Sequence, residues 1–113
     1  MDSNTLNKTE ISSRAKTKWN EKSEANKVRA GSKYQHFLGK FKLPMNNWNS
    51  EFDVLTKYQQ NVIVKGELIR TYDSLPNTTK TKIMREFGLS AFSSKWYKLP
   101  SGDKKILLNY VIR

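Results

Sequence analysis

The chain contains no cysteine, which excludes disulfide staples, thiolate metal sites and a cysteine nucleophile together. Its one histidine, His36, has no other metal-ligating side chains at suitable spacing nearby and reads as a surface or packing residue. Glycine-rich phosphate loops are missing, as are a Ser, His and acid arrangement and the clustered acids of a two-metal nuclease. Glu51 and Asp53 stand two apart, so on a helix they diverge and make no paired-carboxylate site. Neither catalysis nor a cofactor or metal is expected. No apolar run approaches the roughly 20 residues of a membrane span. The opening "MDSNTLNKTE" lacks both the basic and the apolar region of a secretory signal, so an intracellular protein, in cytoplasm or nucleus, is expected. Acidic side chains are also scarce, 10 against 21 Lys plus Arg. Without disulfides or metals, the fold must rest on packing.

A chain of 113 residues is the size of one domain, able to bury about 60 to 70% of its unfolded surface. A net charge of +11 is more than solubility requires and points to a polyanionic partner. Nucleic acid comes first, with an anionic membrane surface or an acidic protein behind it. Residues 1–33 carry eight bases and four acids, residues 34–78 five and four, and residues 79–113 eight and two. The middle therefore reads as scaffold and the two ends as binding surface, with Arg14, Lys16 and Lys18 as the N-terminal candidates.

Residues 1–33 hold only Leu6, Ile11, Trp19 and Val28 as sizeable apolar side chains, too few to offset the ordering entropy of so long a segment. They are expected to form a flexible basic arm, whose part from Glu21 onward has good helix formers ending near Gly31. Trp19 is open to two readings, stacking on a base or docking on the domain. A helical domain is expected over 34–113. Tyr34, Phe37, Leu38 and Phe41 recur at helical spacing before Pro44. A turn at "LPMNNWNSEF" follows, with Asn49 or Ser50 able to cap the next element. Phe52, Leu55, Tyr58, Val62, Ile69 and Tyr72 then fall along one face of a long central helix. The β-branched run Val62, Ile63, Val64 before Gly66 leaves a short strand or a break open there. Pro76 and Asn77 break the chain again, with Thr78 or Thr79 as cap. "LPSGDKKILLNYVIR" reads as a last helix with Ser101 as cap, Asp103 in its first turn, and an apolar stripe of Ile106, Leu107, Tyr110 and Val111. The stretch 106–112 is also β-prone. The fold class expected is all-α, a small bundle of four or five helices.

Between the last two breaks lies "TKTKIMREFGLSAFSSKWYKL", residues 79–99. Ile83, Met84 and Phe87 give an apolar inner face, Gly88 a turn able to enter the left-handed region, and "SAFSSKWYKL" a second helix opened by Ser90. The stretch resembles the helix-turn-helix of bacterial and phage-type repressors, with Gly88 at the turn and Ile83, Phe87, Leu89 and Tyr97 at the motif's apolar positions. It departs at Met84, where the motif prefers a small residue, and at Ser94, where it prefers a buried aliphatic. The resemblance implies DNA rather than RNA as ligand, with Ser90, Phe92, Ser93 and Lys95 facing the groove. Lys80, Lys82, Arg85 and Lys98 would hold the flanking backbone, and a homodimer is implied as the working unit. Lys104 and Lys105 extend the same basic block. A second, partial resemblance is to an HMG box: "KLPMNNW" at 42–48 and "WYKLPSGDKKIL" at 96–107 are similar to parts of that family, which would make Met45 a wedge and Trp96 a core residue.

The bland reading of the same residues is a solvated lysine face over a core containing Phe92, Trp96 and Tyr97. The function expected is therefore non-enzymatic nucleic-acid binding, mainly electrostatic with modest sequence reading. The alternative is a structural or protein-interaction subunit, such as a viral or mobile-element assembly factor or inhibitor, whose basic face meets an acidic protein.

Overall fold

The protein is described by a computed structural model covering residues 6–38 and 48–112. The side chains of His36, Phe37 and Leu38, and the residues Phe41, Pro44 and Met45, lie outside the described residues, and with them the expected stripe and wedge. Five α-helices form among the described residues: α1 (Lys8–Glu21), α2 (Glu24–Leu38), α3 (Lys57–Ser74), α4 (Asn77–Phe87) and α5 (Ser101–Val111). No described residue is in a strand, so the all-α class holds, including at 62–64 and through Val111. Among the described residues, 3₁₀ turns also form at Phe52–Val54 and Trp96–Lys98.

The segment expected as a flexible arm is instead helical from Lys8. The Asn7 side chain caps α1 by accepting from the Glu10 backbone N–H at 3.0 Å, and Glu10 and Lys18 complement the helix dipole at opposite ends. Ile11, Ala15 and Trp19, four residues apart, form one buried stripe. The small methyl of Ala15 lets α1 lie close on α3, which is its main partner. Trp19 is docked rather than free: its indole Nε1 donates to the Ser50 carbonyl at 3.0 Å. Next to it, the Asn20 side chain accepts from the Phe52 N–H at 2.8 Å. Residues 48–55 are thereby bound along α1.

The indoles of Trp19 and Trp48 meet edge to face at 5.9 Å, with Tyr34 of α2 about equally close to Trp48 at 6.0 Å. This aromatic group needs Gly31. A Cβ at that position would stand 2.1 Å from the Trp48 ring, so only hydrogen fits where α2 crosses the indole. The Tyr34 hydroxyl in turn approaches Gly66 of α3.

Helix α3 is the hub, packing on α1, α2 and α5. It opens with a capping box: the Gln59 N–H donates to the Thr56 hydroxyl at 3.2 Å, and the Thr56 N–H donates to the Gln59 side chain at 2.9 Å. Thr56, rather than Asn49 or Ser50, is the cap. Its buried face is Gln59, Ile63, Val64, Glu67, Leu68 and Tyr72. This is rotated from the expected face, leaving Tyr58 exposed and Val62 and Ile69 half-buried. Leu55 and Phe52 do join the core.

Helix α4 starts directly after Pro76, and α5 directly after Pro100, neither with a side-chain cap. Thr78, Thr79 and Ser101 are thus helical residues rather than caps. Gly88 ends α4 at φ 67°, ψ 38°, and the Leu89 N–H reaches back to the Met84 carbonyl at 2.9 Å, a left-handed terminus that glycine adopts without strain. The second helix expected over Ser90–Leu99 does not form: residues 89–95 are irregular, and only the turn at Trp96–Lys98 is helical. Phe87 and Tyr110 close α4 on α5 edge to face at 4.9 Å. Trp96 is buried against Tyr72.

Two substitutions test this packing by urea unfolding. Trp19→Ala should cost about 3 to 5 kcal/mol, whereas a free arm would make it silent. Gly31→Ala, which in an ordinary helix gains about 1 kcal/mol, should here lose about 1 to 3 kcal/mol through overpacking against Trp48.

Candidate nucleic-acid interface

The three N-terminal candidates are committed to ion pairs. Glu67 of α3 is buried and receives the Arg14 Nε at 3.2 Å, the Lys18 Nζ at 3.2 Å on both oxygens, and the Arg70 Nη2 at 3.2 Å. Arg14 also donates to the Thr71 hydroxyl at 3.1 Å. Burial pushes the Glu67 carboxyl upward, but the hydrogen bonds from Lys18, Arg14 and Arg70 outweigh it and hold the group below its ordinary range. Lys16 pairs with Asp53 at 2.9 Å on the surface. These cations bind α1 to the rest of the fold.

Within 79–99 the residues divide. Lys80, expected at a phosphate, is buried: its ammonium donates to the carbonyls of Ser94 and Asp73 and lies 5.4 Å from the Tyr72 ring. Ser93 is also buried, its hydroxyl donating to the Lys95 carbonyl at 2.8 Å. Ser90 gives both its N–H and its hydroxyl to Asp103 of α5, at 2.9 and 3.1 Å, and Ala91 adds its N–H at 3.2 Å. Asp73 takes the Trp96 N–H at 2.8 Å. The Tyr72 hydroxyl donates to the Ser93 carbonyl at 2.6 Å. Burial, then the nearby Asp73 and Asp103 charges, push that phenol above its ordinary value. Ser93 and Lys80 are therefore withdrawn into the corner, and Ser90, though exposed, has its N–H and hydroxyl turned to Asp103.

What remains outward is a set of six cations. Lys82 and Arg85 project from the face of α4 opposite buried Lys80 and Ile83. Lys95, Lys98 and Lys105 are exposed, and Lys104 is half-buried with its ammonium 3.3 Å from the Tyr97 carbonyl. None of the six makes an ion pair with a described residue. Two aromatic rings stand among them: Phe92, 45% exposed, and Tyr97, 70% exposed, the latter with the Lys98 ammonium 5.9 Å from its centroid. Of the three rings that the bland reading assigns to the core, only Trp96 is buried. Lys80 and Asp103 are both buried and opposite in sign, so the positive excess of the C-terminal block stays on the outside.

Sequence reasoning missed Lys22, Arg29, Lys33 and Arg70, which line one recess between α1, α2 and α3. Their signal was available in part: positions 22, 26, 29 and 33 repeat at four, three and four. Arg70 joins from a distant part of the chain. Among the described residues no three His, Cys, Asp or Glu side chains gather as metal ligands, and no helix is long and apolar enough to cross a membrane. No protein-family model, curated protein or solved structure matches this chain.

The Glu67 pairing gives a pH signature. A carboxylate with a depressed folded value stabilises the fold above its ordinary 4.5 and loses that contribution as pH falls through the lower folded value. Glu67→Gln should lower stability at pH 7 by about 2 kcal/mol and flatten the acid limb. Unfolding midpoints at pH 7 and at acid pH that both match wild type would contradict the assignment.

Proposed function

We propose that this chain is a non-enzymatic nucleic-acid-binding protein that holds the phosphate backbone chiefly through electrostatics, with DNA ahead of RNA. The observation that carries the reading is the outward set Lys82, Arg85, Lys95, Lys98, Lys104 and Lys105, free of ion pairs with described residues while the N-terminal candidates Arg14, Lys16 and Lys18 are taken up by Glu67 and Asp53. Isolated surface lysines keep a protein soluble. Six in one third of a chain of net charge +11 exceed that need, and neutralising phosphates with the release of condensed counterions gives them a use.

Phe92 and Tyr97 refine the reading. Large rings left in water among lysines lose hydrophobic stabilisation and gain it back by stacking on unpaired bases, at about 1 to 3 kcal/mol per base. The segment carrying them is irregular rather than a recognition helix, which favours contact with backbone and base faces over reading of the major groove. Affinity, rather than strict sequence choice, is the property this surface supports.

Fluorescence anisotropy with single-stranded and duplex oligonucleotides across a salt series tests it. Log affinity should fall linearly with log salt, and each Lys→Ala change among Lys82, Lys95, Lys98 and Lys105 should reduce the slope by about 1. Tyr97→Ala should weaken single-strand binding about tenfold and leave duplex binding nearly unchanged. Binding that ignores ionic strength rejects the proposal. A stable larger assembly unaffected by nuclease points instead to a structural subunit.

A further inference from the structure

A recess of about 350 Å³ opens between α1, α2 and α3, lined by Lys22, Asn26, Arg29, Lys33, Tyr34 and Arg70. An adjoining one of about 220 Å³ shares Lys22, Tyr34 and Arg70 and adds Lys18 beside Trp19. Together they reach the size of a small-ligand site, about 300 to 1,000 Å³, yet their polar lining is cationic and includes no carboxylate. Glu67, in the next cleft, takes up part of the charge of Lys18 and Arg70. Lys22, Arg29 and Lys33 have no ion pair with a described residue. The Arg29 guanidinium is oriented by donating to the Asn26 side chain at 3.1 Å.

Asn26, Arg29 and Lys33 lie on one face of α2, and Lys22 continues the row from the end of α1. A row suits a linear polyanion better than one small anion. Two arginines offer planar forks that match phosphate oxygens, and the aromatic walls, Tyr34 in both recesses and Trp19 in the adjoining one, are low-dielectric surfaces that focus the field of the cations. The exposed Val28 and Glu24 fall on the opposite face of α2, so the row carries no apolar residue to enter a bilayer. We propose that this recess is a second nucleic-acid site, taking a phosphodiester backbone. The assignment rests on the nucleic-acid reading above and adds to it a face formed by the N-terminal helices.

The test uses the full chain and a labelled oligonucleotide, comparing wild type with Lys22→Glu/Arg29→Glu/Lys33→Glu and with Lys82→Glu/Arg85→Glu/Lys105→Glu. The recess variant should weaken binding about tenfold or more and reduce the salt slope by about 2 to 3. If wild type binds, the α4–α5 variant is weakened and the recess variant matches wild type in affinity and slope, the recess assignment alone is overturned. If wild type does not bind, the reading of the whole protein fails with it. Should the glutamates prevent folding, the glutamine triple variant replaces them, alongside backbone amide shifts in wild type. Shifts over residues 22–33 on adding oligonucleotide are expected, and their absence overturns the site. Inorganic phosphate, polyglutamate and phosphatidylserine vesicles are run as competitors. Displacement by any of them as effective as by oligonucleotide, at matched charge, also overturns it.

Discussion

A buried carboxylate is the constraint around which this small fold is arranged. Glu67 sits on the inner face of the central helix, and removing its charge from water costs several kcal/mol unless partners surround it. Arg14 and Lys18 reach it from α1 and Arg70 from its own helix. The same approach lays Ile11, Ala15 and Trp19 on the core. Apolar burial and ion pairing thus act along one seam, and neither alone would order a segment so poor in large apolar residues. The partial exposure of the three cations lowers their own desolvation cost while the carboxylate is kept dry.

That seam explains what could and could not be read beforehand. The all-helical class was legible, as were the end of α4 at Gly88 and the extent of α5 after Pro100. Local signals decide those features. The N-terminal helix was not legible because its stripe counts a small residue, Ala15, and its polar side answers an acid 49 residues away. In the central helix, Gln59 and Glu67 hide among buried positions, so a search for apolar periodicity settles on the neighbouring face. The region after Gly88 misleads for a different reason. Ser90, Ser93 and Ser94 compete for backbone partners and weaken a helix, and Asp103, distant in sequence, takes the N–H groups of Ser90 and Ala91.

Counting charges along a chain also says less than where each charge is used. The candidate set contained cations of two kinds, and only tertiary contacts separate them. Arg14, Lys16, Lys18 and Lys80 are occupied by acids or carbonyls, while Lys82, Arg85, Lys95, Lys98 and Lys105 meet solvent. The recess between the first three helices depends on Arg70 arriving beside Lys22, Arg29 and Lys33, a juxtaposition the block counts diluted. The scaffold block, nearly neutral in sum, supplies both the acid that anchors α1 and a base that completes the recess.

The irregular segment is clamped by two opposite charges. Lys80 holds its Ser94 carbonyl and Asp103 the amides of Ser90 and Ala91, and both side chains are withdrawn from solvent. Dissolved ions screen exposed charges strongly and such shielded contacts weakly. The platform bearing Phe92 and Tyr97 accordingly keeps its contour from dilute buffer to brine. Added electrolyte would then act on the exposed lysines around the platform and not on the contacts that give it its shape.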